Sequence, residues 1–562
     1  MMIFKMKKVN GYFLKVLIVL TLLFTTVFIF NNGLSATEVI IDNTTSEGIK
    51  GSIGNDTIIL TNGTYKGIDN TNITIANTKN ITIKSSNHYN KAIIDCKGSW
   101  FINNNGNLTL INLIIINAYN RNGGAIYNTG KLTLINCTFT NNTATSSGGA
   151  IYNIGGDIMG VFNSSFINNT ARTGGGAIHN SGINMSTINS TFINNTASTG
   201  GAISNTGANM SVINSTFNNN TANFGGAIDN TGANMSVINS TFNNNTVTYN
   251  GGAIYNIGGA NMSVINSTFN NNTATNNGGA IYNQDDDMSV INSTFNNNIV
   301  TYNGGAIYNI GGANMSVINS TFNNNTATNN GGAIDTMGAN MGVNNSTFIN
   351  NTANNSGGAI HNYYYVNVSV INSTFINNTA STGGAIHNEG DNMSVINSTF
   401  INNTASTGGA ISNTGGANMS VINSTFNNNT ANISGGAIYN SFSVNMSVFN
   451  STFSNNIVRI SGGAISNQYS DNMSIINSTF NKNTANTNGG AIHNIDGDNV
   501  SVFNSTFVGN VAGYGGGIFN DGNMIVSGNE MYNNSAGILG KFIYNNRTMG
   551  ILNLTYLNNQ TI

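Results

Sequence analysis

A chain of 562 residues exceeds the roughly 250–300 at which a single hydrophobic core stops growing, so its order must come from several domains or from repetition. With 6% charged residues, a net charge of −2 and no basic run, it has no electrostatic footprint for nucleic acid or an anionic membrane surface. Its 67 Gly, absence of Pro and pervasive Asn are unlike an ordinary enzyme, while its periodic apolar residues exclude a disordered chain.

Residues 1–36 place Lys5, Lys7, Lys8 and Lys15 before an apolar and Thr run from Val16 to Phe30, followed by the small residues Ser35 and Ala36. The run is shorter than the ~20 residues of a bilayer span, so it reads as a secretory signal peptide. An uncleaved N-terminal anchor is the alternative. Residues 37–122 contain strand-like pieces, "DTIILTNGTYKG", "ITIANTKNITIKS" and "AIIDCKGSW", expected to form the capping coils of the array that follows.

From 123 to about 540 one phrase recurs. Its Gly pair appears sixteen times, first at Gly123 and last at Gly515, at spacings of 25, 26 or 27 residues. Length varies in two places: after the Ile of GGAI, and between the "NNNT" segment and the next Gly pair. From the leading apolar residue to Phe the distance is always seven positions, as from Met210 to Phe217. The fixed segments are therefore expected to be walls and the elastic ones turns. In "MSVINSTF" the first and third positions stay apolar, apart from Thr187, which is period-two alternation. Continuing that parity points Asn214, Asn239 and Asn266 inward and requires a bend before Phe217. In "GGAIYN" the Ile and final Asn point inward and the variable residue between them outward.

A coil of about 26 residues with short strands and two elastic turns predicts an all-β, right-handed parallel β-helix, one repeat per rung. At ~4.8 Å per rung, sixteen repeats extend roughly 75 Å. Inward Asn is expected to form amide ladders, and Phe217, Phe242, Phe269, Phe295 and Phe322 an apolar stack. Pro would remove a ladder donor, which accounts for its absence. Residues 541–562 read as a closing coil. Cys96 and Cys137 either pair or fill small core positions, and Cys137 stands where other copies have Ser.

The GGAI and FxxN motifs recurring in register resemble those of the polymorphic outer-membrane protein repeats, and more closely the adhesin-like surface proteins of methane-producing archaea. The opening coils similarly resemble the pectate-lyase-like class. This resemblance implies a parallel β-helix, export to the cell surface and a role in attachment.

Outward Tyr255, Tyr282 and Tyr308 on consecutive rungs are expected to form an aromatic stripe able to dock sugar rings or a partner surface. Tyr363, Tyr364 and Tyr365 lie in an elastic turn, where binding residues tend to gather. His361 and His387 share the outward column one rung apart, but two His without a carboxylate are a weak metal site, and "QDDD" at Gln284 to Asp287 lacks a repeated calcium pattern. No metal or cofactor is therefore expected. Of the many sequons, Asn209 is expected to be accessible to glycosylation and Asn214 buried. β-Helix polysaccharide lyases and hydrolases need converging carboxylates, whereas here acidic residues are scattered singly, so catalysis is not expected. The sequence thus suggests a cell-surface rod binding glycans or proteins of other cells or the extracellular matrix, contacting membrane only if residues 1–36 remain attached. A β-helix polysaccharide enzyme and a passive spacer are the rival readings.

Overall fold

The computed structural model describes residues 37–155, 159–258, 261–284, 287–311, 314–363, 366–415, 418–553 and 555–556. Residues 1–36, with their signal-peptide or anchor reading, lie outside these. Among the described residues no helix is long and apolar enough to cross a membrane.

The chain is an all-β parallel solenoid of about 19 turns with ~26 residues per turn. One coil illustrates all. Ile254–Ile257 forms one wall, Asn261–Ile265 the next, and Thr268–Asn270 the third. Among the described residues the first two walls contain 19 and 21 strands. Each strand pairs in parallel with the same motif positions one coil on: Ile254 opposite Ile281, Met262 opposite Met288, Phe269 opposite Phe295. Residues 37–122 join the same walls, as in Ile73 opposite Ile102 and Ile102 opposite Ile126. After Lys541, Ile543–Asn545 pairs beneath Ile518–Asn520.

The corners explain both the fixed spacing and a correction to the inward set. Asn214, Asn239 and Asn266 have φ of 49–50° and are exposed, not inward. A left-handed residue reverses the alternation of side chains, and Asn is among the non-Gly residues that tolerate this conformation best. The next residue turns inward instead. Ser240 is 1% exposed; its hydroxyl donates to Ile238 O at 2.9 Å and accepts the backbone N–H of Ser215 at 3.1 Å. Cys137 occupies the same position, accepting the role of a small core residue beside Ser164. Both cysteines are free and buried, and burial pushes the Cys137 thiol up to about 11. The exposure of Asn214 also removes the expected contrast with Asn209, since both sequon positions face solvent.

Inside, Phe139 to Phe507 form an unbroken ring stack. Its members include the fully buried Phe217, Phe242, Phe269, Phe295 and Phe322, with centroids 4.7–4.8 Å apart and planes within 3°. Two Asn ladders run beside it. At the FxxN position, Asn245 Nδ2 donates to Phe217 O and to Asn272 Oδ1, both at 3.0 Å, and the Asn245 backbone N–H donates to the same oxygen at 3.1 Å. Every donor of this buried amide is thereby used, which offsets the roughly 2–7 kcal/mol cost of burying it unpaired. At the GGAIxN position, Asn128 Nδ2 donates to Asn153 Oδ1 at 2.5 Å, and the chain of such bonds continues coil by coil. Thr336 interrupts it: Asn309 reaches Thr336 Oγ1 at 3.4 Å, and the buried Asn362 Oδ1 has no partner.

The Gly pair is a steric requirement. Gly251 has φ +69°, and a Cβ on Gly252 would lie 1.9 Å from the carbonyl oxygen of Gly279 on the next coil.

Candidate functional site

The variable position of GGAIxN points away from the core, but it is not a free surface. Tyr282 and Tyr308 are 8% and 5% exposed, and Tyr255 is half-buried. Their rings pack along the column at 4.9 and 5.4 Å, and the Tyr282 hydroxyl donates to Gln284 Oε1 at 3.0 Å. The elastic segment before each Gly pair folds over this column. Phe224 packs on Tyr255 at 5.1 Å, and this segment itself pairs between coils, with Thr199 bridged to Phe224 and Asn250 to Asn277. Burial and the charge of Asp335 raise the Tyr308 hydroxyl well above its usual range. The expected open stripe at Tyr255, Tyr282 and Tyr308 is therefore a covered layer. Tyr363 is half-buried, its ring edge-on to His361 at 4.8 Å; Tyr364 and Tyr365 lie outside the described residues, as do two residues of the QDDD turn.

From the coil next to Tyr308 onward the covered column gathers ionisable groups. Asp335, His361 and His387 stand opposite one another on successive strands. Glu389 lies two residues after His387 and so on the same face. His361 Nδ1 is 3.3 Å from Asp335 Oδ1. On the other side, His361 Nε2 lies 3.8 Å and His387 Nδ1 3.7 Å from Glu389 Oε1. Both distances exceed hydrogen-bond length, so these contacts act through charge. Asp335 is fully buried, His361 and His387 nearly so, and the Glu389 side chain is 22% exposed.

Burial disfavours a charged His361, but the charge and hydrogen bond of Asp335, with Glu389, outweigh it and push the group up to about 9. Burial, then the His361 charge, push His387 down to about 3 against the pull of Glu389. Glu389 is held below its usual range, first by His361, against burial. The sequence pairs the two histidines but does not single out Glu389. The signal was the period of two: His387 and Glu389 flank an inward Asn388.

A second feature lies in the other elastic turn. Phe442 and Tyr469 stack at 5.3 Å with planes 11° apart, yet they are 69% and 51% exposed. Both have left-handed backbone, φ 54° and 50°, where bulky residues are outliers. Val444, 55% exposed, lies in the same turn as Phe442.

Thirteen segments match the model of the Chlamydia polymorphic membrane protein repeat: residues 136–154, 163–181, 189–206, 239–257, 266–284, 292–310, 319–336, 345–363, 372–389, 397–414, 423–441, 450–468 and 477–495. The chain carries polymorphic membrane protein repeats. Each matched segment runs from a corner Asn through the Phe strand and Gly pair to the end of the GGAIxN strand. Asp335, His361, His387 and Glu389 thus all fall within repeats. No curated protein matches the chain in sequence.

Among solved structures it is similar to the PL6 family alginate lyase AlyGC, at 11% identity and a TM-score of 0.32, covering 92% of this chain and all of the lyase. It is also similar to the A-module of the mannuronan C-5 epimerase AlgE6 of Azotobacter vinelandii, at 10% identity and a TM-score of 0.16, covering 91% and 93%. Likeness at this level transfers no activity. The repeats and the solenoid they build fit a surface-exposed protein.

Proposed function

We propose that the chain is an exported, adhesin-like protein of the cell surface, a rod that attaches to glycans or proteins of other cells through several weak contacts acting together. The observation that carries this reading is the exposed aromatic pair Phe442 and Tyr469. An apolar pair held in left-handed backbone costs roughly 1–3 kcal/mol per residue and gains nothing from core packing, so its use lies in contact with a partner. A second surface supports hydrogen-bonded contact with a polar polymer: an open trough of about 580 Å³ along the Phe wall, lined by exposed or half-buried Asn from Asn218 to Asn323. Contacts repeated at coil spacing on one rigid rod add through effective concentration.

The test is retention of the full chain on a panel of polysaccharides and glycoproteins, with mass spectrometry of the ligand afterwards. Retention of intact ligand, reduced at least tenfold in a Phe442→Gly, Tyr469→Gly chain, is the expected result. Gly relieves the backbone and leaves the fold at least as stable, so the loss reports contact alone. Shortened ligand would replace attachment with catalysis, and retention equal to the parent would remove the aromatic pair from the contact surface.

A further inference from the structure

The cluster at Asp335, His361, His387 and Glu389 has polar atoms that the protein itself does not satisfy. Asp335 Oδ1, as acceptor, fixes a proton of His361 on Nδ1 and turns Nε2 the other way. Thr414 Oγ1, 2.9 Å from His387 Nε2, holds the second ring with its Nδ1 turned toward Glu389. These two nitrogens are buried and without hydrogen-bond partners. Both aim at Glu389 Oε1, and all three atoms lie within 4.8 Å of one another. Two unpartnered imidazole nitrogens in a covered layer are costly unless something sits between them.

The spacing indicates what that is. A tetrahedral zinc ion with bonds of roughly 2.0–2.1 Å separates its ligands by about 3.3 Å, a few tenths of an ångström less than the 3.7 and 3.8 Å found here. Charge agrees: once the ion displaces the second proton of His361, two carboxylates and two neutral imidazoles carry −2, which a divalent cation cancels. The donor set agrees as well, since two imidazoles with one carboxylate suit zinc, whereas calcium and magnesium take oxygen ligands.

We propose that this chain binds one Zn²⁺ through His361 Nε2, His387 Nδ1 and the Glu389 carboxylate, with solvent completing the shell at the partly exposed Glu389 edge. Asp335 and Thr414 are positioning residues, each holding the outer nitrogen of a ligating ring. The ion bridges the His361 and His387 coils, which the interior ladder also joins through Asn362 Nδ2 donating to Asn388 Oδ1 at 2.5 Å, one coil beyond the place where Thr336 breaks that ladder.

The experiment strips the full chain with EDTA, dialyses it against Zn²⁺ or Co²⁺, and records metal per chain by elemental analysis and the visible spectrum of the Co²⁺ form. One metal per chain is expected, with Co²⁺ bands of the intensity of a four- or five-coordinate site. Binding should vanish in His387→Ala and weaken at least tenfold in Glu389→Gln. In Asp335→Asn it should weaken roughly 10–100-fold. It should persist in His493→Ser, whose column position has no carboxylate pair. Circular dichroism of each variant separates loss of ligand from loss of fold, and the parent's Co²⁺ spectrum needs no variant. Absence of retained metal, the weak bands of a hexa-aquo ion, or retention by folded His387→Ala and Glu389→Gln chains would overturn the site in favour of a buried ion-pair network.

Discussion

Single residues at the corners decide how this coil closes. Asn214 takes φ 49° and Asn219 φ 55°, so each rung turns twice where an Asn tolerates left-handed backbone, and the residues after them, Ser215 and Asn220, turn inward. The alternation rule is reliable along "MSVI" and fails across the corner, because parity counted through a left-handed residue inverts. That is why Ser rather than Asn214 lines the core, although the need for a bend there was readable from Phe217. Thr187 shows the reverse situation, a departure visible in sequence whose consequence is energetic. It replaces the Val of the core column, is fully buried, and its hydroxyl has no hydrogen-bond partner. An unsatisfied buried hydroxyl costs about 1–3 kcal/mol. Thr187→Val keeps the shape and removes the hydroxyl, so the variant should be more stable by about 1–2 kcal/mol. Chemical denaturation of parent and variant checks this; equal stability would mean that the hydroxyl is satisfied in solution.

At the scale of the element, each wall is legible because its repeat is invariant, whereas the cover over the variable column is not. A turn that changes length between copies carries no periodicity from which its direction can be read, so nothing in the sequence places Phe224 on Tyr255. Glu389 was readable, since a step of two returns to the same strand face, but a search along one column passes over it. The Phe stack is the element in which sequence and energetics meet most directly. Phe322 sits between Phe295 and Phe348 at 4.8 Å on each side, with no exposed surface. Phe322→Ala leaves a void that the rigid walls on both sides cannot close, at a cost of about 3–5 kcal/mol. Because each coil contacts only its neighbours, the damage should stay local. Hydrogen exchange should therefore speed up in the coils around 295–348 and remain unchanged near Phe480 and Phe507; uniform acceleration along the chain would contradict nearest-neighbour stacking.

For the whole molecule, low charge makes the few buried ionisable groups dominate the response to pH. Burial pushes His493 down to about 4 against the charge of Asp521, and pushes His179 down to about 4. Between that value and the ordinary 6.5 of the unfolded chain, unfolding takes up protons, so stability is lost as pH falls from about 6.5 to about 4. Asp229 has the opposite sense. Burial raises it to about 6, so its folded form keeps a proton that the unfolded carboxyl releases, and stability from this group declines as pH rises through the same interval. Outside the Asp335–His361–His387–Glu389 cluster, two histidines against one carboxyl leave a net loss toward acid, with His493 alone contributing on the order of 3 kcal/mol at about 1.4 kcal/mol per pKa unit. His493→Ser tests this cleanly. Ser already occupies the column at Ser412 and Ser466, so the wall accommodates it, and the comparison rests on slopes rather than on absolute stability. In chelator, the parent's unfolding free energy should fall more steeply between pH 6.5 and pH 4.5 than that of the variant. Equal slopes would show that His493 takes up its proton in the folded rod, which would require the covering turn to open and admit water to the column.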